Sequence, residues 1–322
     1  MPFDVAVFGA AGYAGLELAK LLATHPDARL ACAASDHHAG RLLEDLTGRD
    51  HGEHAFVSST DARGIARGCA IALLAVPADA AIALAAELRG SPKIVDLSHA
   101  HRADSAAAYG LTSWFATEVA AAALVANPGC YATAVITAAA PLVRHGLIDG
   151  DLIVSAASGV TGAGRTATEA MSLGELYGDV RAYNVLRHQH VPEIEAALGR
   201  LGTTPRVTLT THLLPVARGI FATLTARLSR AIATPAIVEL FRADYAADPT
   251  VAIVPTAEDV SLRRVVGTNR CVVGVASDDR RIVVTAALDN LLKGAAGQAI
   301  ENMNLMLGLS RTAGLDHLAR HH

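Results

Sequence analysis

Cys130 is the residue of this sequence best placed to act as a nucleophile. It follows an Asn-Pro-Gly turn at 127–129, which ends a short apolar run at 123–126. This pattern predicts a strand and a sharp turn, and the residues that follow, 131–142, are typical of a buried helix. A cysteine at a helix N-terminus meets unpaired N–H groups and the positive end of the helix dipole. Both favour a thiolate and would stabilise an oxyanion, which indicates a reactive thiol.

A cysteine can instead be a buried core residue with no reactive role. We expect this for Cys32, Cys69 and Cys271, which lie in strand-like runs. Four cysteines in a chain of this length do not make a disulfide framework. They also show no CxxC pair and no zinc spacing with histidine.

His188 and His190 stand two residues apart, and Glu193 follows them before a helix predicted at 195–201. The set is compatible with an imidazole acid/base held by a carboxylate or with metal ligands. The structural alternatives are a solvated loop, or a helix cap formed by Glu193. A third ligand at clear spacing is missing, so we expect no metal. Beside a thiol nucleophile, a histidine acid/base is the favoured interpretation.

Gly9, Gly12 and Gly15 form a GxxGxxG turn between a strand-like run at 5–8 and a helix-like run at 15–25. In such a turn, backbone N–H groups and the helix N-terminus meet the pyrophosphate of a dinucleotide. An ordinary Gly-rich strand–helix turn is the alternative.

The end of the second predicted strand bears on the choice between NAD and NADP. Asp36 lies about 20 residues after the glycine turn, where an acidic residue usually binds the ribose hydroxyls of NAD. Ser35, His37, His38 and Arg41 surround it with polar and basic groups that suit the 2′-phosphate of NADP.

Two later segments carry arginines, whose forked guanidinium suits a phosphate or a carboxylate. A Ser/Gly-rich loop at 158–165 ends in Arg165, and Arg218 follows an apolar run at 212–217. Asn290 lies in a polar turn that opens the last predicted helix, 291–307. It is either a cofactor contact or a cap of that helix.

The elements that position these residues fall into two patterns. Strand-like runs at 29–34, 70–76 and 93–97 alternate with helix-like runs such as 78–88, which predicts a Rossmann-type doubly wound parallel sheet. Strand-like runs at 152–157, 206–212, 220–228, 272–276 and 281–287, most without long helices between them, predict an α+β domain with a mixed or antiparallel sheet. The predicted fold class is α/β. Residues 1–129 form a dinucleotide-binding domain completed by a C-terminal helix at 290–322, and residues 130–289 form a catalytic, substrate-binding and dimerisation domain.

Composition agrees with a folded two-domain protein. Of 322 residues, 52% are apolar and 18% are charged, against roughly 25% charged in an average domain. The net charge of -4 argues against a protein that coats nucleic acid. The uncharged stretch 119–143 is interrupted by the Pro-Gly turn, and each half is too short to span a bilayer. With no basic leader in view, we expect a cytoplasmic protein with no membrane or nucleic-acid partner.

Six motifs in order resemble the N-acetyl-gamma-glutamyl-phosphate reductase family, relatives of aspartate-semialdehyde and glyceraldehyde-phosphate dehydrogenases. They are GAAGYAGLEL, ANPGCYAT, SGVTGAGR, HQHVPEI, HLLPVARGI and DNLLKGAAGQA, and they cover nearly the whole chain. The resemblance implies an NADP-dependent reduction of an acyl phosphate in arginine biosynthesis, through a thioacyl intermediate on Cys130. His190 is the implied acid/base, with His188 and Glu193 as its neighbours.

The resemblance also favours NADP over the NAD interpretation of Asp36. The expected cofactor contacts are Gly9, Ala11, Gly12, Tyr13, Ala14, Gly15, Ser35, Arg41, Pro77, Ser158, Gly159 and Asn290. The expected contacts to the small-molecule acyl phosphate are Asn127, Arg102, Arg165 and Arg218. A homotetramer or homodimer is the expected assembly.

This sequence departs from the family pattern at several positions. Gln189 stands where the family has Arg between the two histidines, Ser113 replaces an acidic residue, and Thr211 replaces Pro. The segment between Arg102 and Tyr109 is shorter than in the family, where it helps to wall the site. The alternatives for the substrate are therefore N-acyl-aminoadipyl phosphate or aspartyl phosphate, and a nucleotide-sensing Rossmann protein without catalysis is a remote one.

Overall fold

The structure is a computed structural model that describes residues 1–165, 169 and 172–318. The chain divides into two compact units, of which the first comprises 1–129 with 295–317 and the second 130–294 with 318. The first unit contains a six-stranded parallel sheet in the order β2-β1-β3-β4-β6-β5. Its strands are β1 (Phe3–Phe8), β2 (Ala28–Ala34), β3 (Ile71–Leu74), β4 (Lys93–Asp96), β5 (Ala108–Tyr109) and β6 (Leu124–Ala126).

The second unit contains a seven-stranded mixed sheet in the order β11-β12-β13-β10-β7-β9-β8. Its strands are β7 (Ile148–Gly159), β8 (Arg181–Tyr183), β9 (Val207–Leu214), β10 (Ile220–Leu228), β11 (Val251–Ile253), β12 (Cys271–Ser277) and β13 (Arg281–Leu288). The pairs β11–β12 and β7–β9 are parallel, and the other neighbours are antiparallel.

The helices are α1 (Tyr13–Leu22), α2 (Glu44–Thr47), α3 (Ser59–Ala66), α4 (Ala78–Glu87), α5 (Thr112–Ala121), α6 (Cys130–Arg144), α7 (Leu173–Leu176), α8 (His190–Gly199), α9 (Thr234–Asp244) and α10 (Gly297–Met306). A π-helical turn at Leu292–Ala296 precedes α10. None of the helices in the described part of the chain combines the length and the apolarity that crossing a bilayer requires.

These elements confirm the predicted fold class, and the burial of each strand explains it. Every residue of β3 is buried, as are residues 5–8 of β1, so both faces of the parallel sheet are covered. Along β9, buried residues alternate with partly exposed ones, as in a sheet with one covered face.

Two predicted helices differ most clearly from the observed ones. Helix α8 begins at His190 rather than at 195, because Pro192 lies in its first turn, where the missing N–H has no helical partner to lose. The expected single helix at 291–307 is a π-helical turn followed by α10. Gly294 lies inside that turn, and glycine favours departure from regular helix.

Candidate active site

Cys130 is the first residue of α6 and is partly exposed. The other three cysteines are buried, although Cys69 lies in the turn before β3 rather than in a strand. Burial raises the pKa of Cys32 and Cys271 to about 12, and that of Cys69 to about 11. Thiols with such pKa values stay protonated at neutral pH and are poor nucleophiles. Cys130 therefore combines access with the helix N-terminus that the sequence predicted.

Two tyrosine hydroxyls lie near this thiol, and sequence reasoning selected neither. Tyr183 Oη donates a hydrogen bond to Tyr131 Oη at 2.9 Å, and Tyr131 Oη donates to the carbonyl oxygen of His212 at 3.4 Å. Burial is the main cause that raises the pKa of both tyrosines, and the electrostatic effect of the nearby Cys130 raises it further. Both hydroxyls therefore remain protonated donors. The only sequence signal for them is that Tyr131 directly follows Cys130.

The backbone N–H of His190 donates to Nδ1 of His188 at 3.2 Å. Nδ1 of His188 must therefore carry a lone pair, which places the proton of the neutral ring on Nε2. Burial lowers the pKa of His188, so the neutral form is favoured further. His188 is thus held in one tautomer, in a state unsuited to donating a proton from Nδ1.

The two imidazoles form one aromatic cluster with the tyrosines. The ring centroids of His188 and His190 are 4.8 Å apart, and that of Tyr131 lies 5.3 Å from His188 and 6.1 Å from His190. Tyr183 packs 5.9 Å from His188. Since Tyr131 follows Cys130 in α6, the second unit brings the predicted thiol and the predicted histidine pair into one neighbourhood.

Glu193 is buried in the first turn of α8, three residues after His190. Residues at this spacing share one face of a helix, so the carboxylate and the imidazole lie on the same side of α8. Glu193 was predicted to precede the helix, and the earlier start of α8 corrects that position.

Asn290 links two loops of the second unit. Its Oδ1 accepts a hydrogen bond from the N–H of Gly219 at 2.7 Å, and its Nδ2 donates to Thr161 Oγ1 at 3.0 Å. The expected cofactor residue thus has a structural part in holding the Gly-rich loop. Ser158, at the end of β7, is buried, and a β-carbon on Gly159 would lie 2.7 Å from the backbone nitrogen of Arg218, so the two loops are in close contact.

The two predicted anion-binding arginines differ in their surroundings. Arg218 forms an ion pair at 3.7 Å with Asp289, which is buried, and the arginine side chain remains 27% exposed. Arg165 is exposed near the end of the Gly-rich loop. Both side chains thus keep part of their surface exposed to solvent, as access for an anionic substrate requires.

In the first unit, the glycine turn fits a nucleotide by its backbone geometry. Gly9 has φ +73°, and a β-carbon there would lie 2.2 Å from the carbonyl oxygen of Ala75. A β-carbon on Gly15 would lie 2.3 Å from the carbonyl oxygen of Gly9. Gly12 is the N-cap of α1 and has no side chain to cap it, so the first N–H groups of α1 suit a phosphate. The partly exposed residues of this turn are Gly9, Ala11, Gly12, Tyr13 and Ala14.

Asp36 is engaged at the N-terminal end of α3. Its Oδ1 accepts from the backbone N–H of Ser59 at 2.6 Å, and its Oδ2 accepts from Ser59 Oγ at 2.8 Å. The hydrogen bonds from Ser59 lower the pKa of Asp36. Its neighbour Ser35 bonds His38 Nδ1 at 3.2 Å, and the exposed Arg41 lies 3.6 Å from Asp45.

Three other predicted contacts lie in the first unit. Pro77 is exposed at the N-cap of α4. Asn127 is buried, and its Nδ2 donates to the carbonyl oxygen of Ala295 while its Oδ1 accepts from Asn302. Arg102 donates to the carbonyl oxygens of Asn127 and Leu97, so it braces the ends of β6 and β4.

Metal coordination finds no support in residues 1–165, 169 and 172–318. No group of three His, Cys, Asp or Glu side chains in these ranges is arranged to hold an ion.

Family models match both halves of the chain. Residues 4–122 match "Semialdehyde dehydrogenase, NAD binding domain", and residues 130–290 match "Semialdehyde dehydrogenase, dimerisation domain". Curated relatives named N-acetyl-gamma-glutamyl-phosphate reductase include proteins of Bacillus cereus, 38% identical, and Bacillus anthracis, 37% identical. Each comparison covers 98% of this chain and 98% of the relative over 341 positions. Since this chain has 322 residues, these relatives hold residues that it lacks.

Solved structures share the fold. An aspartate semialdehyde dehydrogenase II from Vibrio cholerae, determined in complex with ASA, superposes with a TM-score of 0.78 at 16% identity. It covers 96% of this chain and 99% of its own. An aspartate semialdehyde dehydrogenase from Francisella tularensis superposes with a TM-score of 0.75 at 15% identity. The superposition covers 95% of this chain and 100% of that one.

Proposed function

Since this chain belongs to the N-acetyl-gamma-glutamyl-phosphate reductase family of semialdehyde dehydrogenases, we propose that it reduces N-acetyl-gamma-glutamyl phosphate with NADPH in arginine biosynthesis. The products are N-acetylglutamate semialdehyde and phosphate. The chain is an NAD(P)-dependent phosphorylating semialdehyde dehydrogenase, an oxidoreductase of amino-acid biosynthesis. The observation that carries the proposed substrate is the 38% identity over 98% of the chain to relatives named for this reaction.

In the proposed reaction, Cys130 is the covalent nucleophile. Its proton passes to His190, and the thiolate attacks the acyl carbon of the substrate and expels phosphate, which leaves a thioester on the sulfur. The N-terminal N–H groups of α6 suit the oxyanion that forms during this attack. A bound reduced nicotinamide supplies the hydride that this thioester requires. The tetrahedral adduct then releases the aldehyde and the Cys130 sulfur, to which His190 returns the proton.

His190 takes the acid/base role in preference to His188 for a reason of hydrogen bonding. The N–H of His190 occupies Nδ1 of His188, and burial keeps that ring neutral. His188 therefore orients the start of α8, and the aromatic contacts of Tyr131 and Tyr183 hold His188 in turn. Glu193 supports His190 from the same face of α8.

The fit of the glycine turn supports a dinucleotide in the first unit, held by the turn residues Gly9, Gly12 and Gly15. We assign the cofactor as NADP because the carboxylate of Asp36 is occupied by Ser59, which leaves Ser35, His38 and Arg41 to meet a 2′-phosphate. For the substrate, Arg165 and Arg218 supply the guanidinium groups that a phosphate and a carboxylate require.

The proposal extends to self-association. The family model that matches residues 130–290 is described as a dimerisation domain, and the apolar residue Ile153 in β7 is 57% exposed. A second copy of the chain could bury this exposed apolar side chain in a homodimer or homotetramer.

The deciding experiment is phosphate-dependent oxidation of N-acetylglutamate semialdehyde, followed as NADPH formation. We expect turnover by the wild-type chain and its loss in Cys130→Ala, with cofactor binding retained because the glycine turn is intact. Near-native activity of Cys130→Ser would contradict covalent catalysis by the thiol. Equal or better turnover of the aminoadipate semialdehyde homologue would instead favour a substrate with a longer acyl chain. The relatives contain residues that this chain lacks, and their absence would leave room for the longer substrate.

A further inference from the structure

Lys293 is fully buried, and its side chain is one of the largest in the core. Burying an ammonium group costs free energy, so a buried lysine usually has hydrogen-bonding or charged partners. Its Nζ donates a hydrogen bond to Thr250 Oγ1 at 2.8 Å. Asp248 Oδ1 in turn accepts from both the hydroxyl and the backbone N–H of Thr250, each at 2.8 Å. These three residues form a buried ammonium–hydroxyl–carboxylate chain, to which the proposed reaction assigns no part.

This buried chain ends at the π-helical turn beside the thiol. Lys293 lies inside the turn Leu292–Ala296, and π-helical turns within helices occur frequently at functional sites. The next residue, Gly294, is in direct contact with Cys130, because a β-carbon built on it would lie 2.8 Å from Cβ of Cys130. The backbone of the turn is thus one wall of the space that the Cys130 side chain occupies.

The start of the same turn is fixed from within. Asp289 Oδ1 accepts from the N–H groups of Leu291 and Leu292, and the carbonyl oxygen of Asp289 accepts from the N–H of Gly294. These three bonds are local, and Asp289 Oδ2 adds two longer-range contacts, a hydrogen bond from the N–H of Gly267 at 2.8 Å and the ion pair with Arg218. The bond from Lys293 to Thr250, 43 residues away in sequence, ties the turn to the segment that leads into β11.

We propose that Lys293 and Thr250 are positioning residues for Cys130: the buried chain they form with Asp248 anchors the turn, and Gly294 then holds the thiol at the N-terminus of α6. The inference rests on the proposed role of Cys130 as nucleophile. A thiol that is allowed to move loses part of the stabilisation that the helix N-terminus gives its thiolate. Misplacement of a reacting atom by about 1 Å can cost a hundredfold in rate.

The test uses two substitutions at one position. Thr250→Val keeps the shape of the side chain and removes the hydroxyl, and Thr250→Ser keeps the hydroxyl. The matched control is Thr285→Val, which removes another buried hydroxyl of the second unit, one that donates to the carbonyl oxygen of Ala257. Each protein is assayed for kcat and KM, for the rate of Cys130 alkylation by iodoacetamide followed by mass spectrometry, and for Tm.

For Thr250→Val we expect kcat to fall about tenfold with KM within about twofold, and alkylation of Cys130 at neutral pH to slow about fivefold. Thr250→Ser should restore both, and Thr285→Val should change only Tm. Thr250→Val with native kcat and native alkylation overturns the proposal. So does a Thr250→Ser variant as impaired as Thr250→Val, since the hydroxyl would then be irrelevant.

Lys293→Met provides a second variant, which removes the donor and leaves Asp248 buried with less compensation, so its Tm should fall as well. If it folds, slowed alkylation of Cys130 supports the anchor and a native alkylation rate contradicts it. The alkylation rate is independent of the substrate. Retained turnover in Cys130→Ala would therefore refute the proposed function, whereas an unchanged alkylation rate in Thr250→Val would refute the anchor alone.

Discussion

The backbone N–H of His190 donates to Nδ1 of His188, so the first residue of α8 fixes the tautomer of the histidine two residues before it. Protonation of that nitrogen would break the bond and place a charge in a buried site. Burial lowers the pKa of His188 accordingly. Two histidines that look equivalent in sequence thus have different hydrogen-bonding states, which is why we propose His190 as the acid/base.

We therefore expect His190→Asn to lower kcat by about a hundredfold or more, because it removes the proposed proton donor. His188→Asn should have a smaller effect on kcat, since an asparagine oxygen can still accept the N–H of His190. The measurement is steady-state kcat for both variants, with Tm as the control for folding. Equal losses in the two variants would show that the pair acts as a unit and that the assignment of separate roles is wrong.

The sequence was sufficient to predict those features of this site that neighbouring residues determine. The position of Cys130 at a helix start follows from the Pro-Gly turn, which acts within a few residues. The contact between Gly294 and Cys130 joins residues 164 positions apart, and no periodicity records such a contact. Asp36 was also ambiguous for this reason, because its partner Ser59 lies 23 residues away.

The errors in the fold include two helices and one short strand. Helix α8 was predicted to begin at 195, but it begins at His190, with Pro192 in its first turn, where proline is tolerated. Helix α9, with Pro235 near its start and Ile237, Val238 and Phe241 buried, was not predicted. The short strand β8 has only three residues and partly exposed side chains, so it offers no alternating pattern to recognise.

The glycine turn predicts a contrast between two glycine substitutions. In Gly15→Ala the new methyl group would meet the carbonyl oxygen of Gly9 at 2.3 Å, so the turn must rearrange and cofactor affinity should fall at least about tenfold. Gly64→Ala is the matched control, because a β-carbon added at this position of α3 would meet no atom within 4 Å. We expect the control to keep cofactor affinity and to gain about 0.5–1 kcal/mol in the free energy of unfolding. Titration of cofactor fluorescence and urea denaturation measure the two effects. Unchanged affinity in Gly15→Ala would contradict a nucleotide in this turn.

His25 predicts how stability depends on pH. Its Nε2 bonds Asn304 Oδ1 at 3.0 Å and its Nδ1 accepts from the N–H of Asp27, so the neutral ring is fully bonded. Burial lowers the pKa of His25 below its ordinary value of 6.5. The unfolded chain then binds a proton that the folded chain does not, so the free energy of unfolding falls as pH drops from about 6.5 toward the lowered pKa.

The measurement is urea denaturation at several pH values between about 5 and 7.5. His25→Gln should flatten the decline in the free energy of unfolding over this window, whereas His99→Gln, at a more accessible position, should leave it unchanged. A slope that His25→Gln does not reduce would assign the acid sensitivity to other groups.

The choice of NADP predicts a selective effect at Arg41. Its ion pair with Asp45, at 3.6 Å, is exposed on both sides and is therefore weak, so the guanidinium can turn to a 2′-phosphate at little cost. We expect the wild-type chain to prefer NADPH over NADH by about tenfold or more in kcat/KM, since one charge-assisted phosphate contact contributes about 1.5–3 kcal/mol. Arg41→Gln should lower kcat/KM for NADPH and leave that for NADH unchanged.

Arg49→Gln, another exposed arginine, is the control and should change neither value. Asp36→Ala tests the other side of the choice. Because the Asp36 carboxylate accepts both of its hydrogen bonds from Ser59, its removal should destabilise the start of α3 and lower Tm, with the preference for NADPH retained. A tenfold preference of the wild type for NADH, shifted toward NADPH by Asp36→Ala, would mean that Asp36 binds the ribose hydroxyls and that the cofactor is NAD.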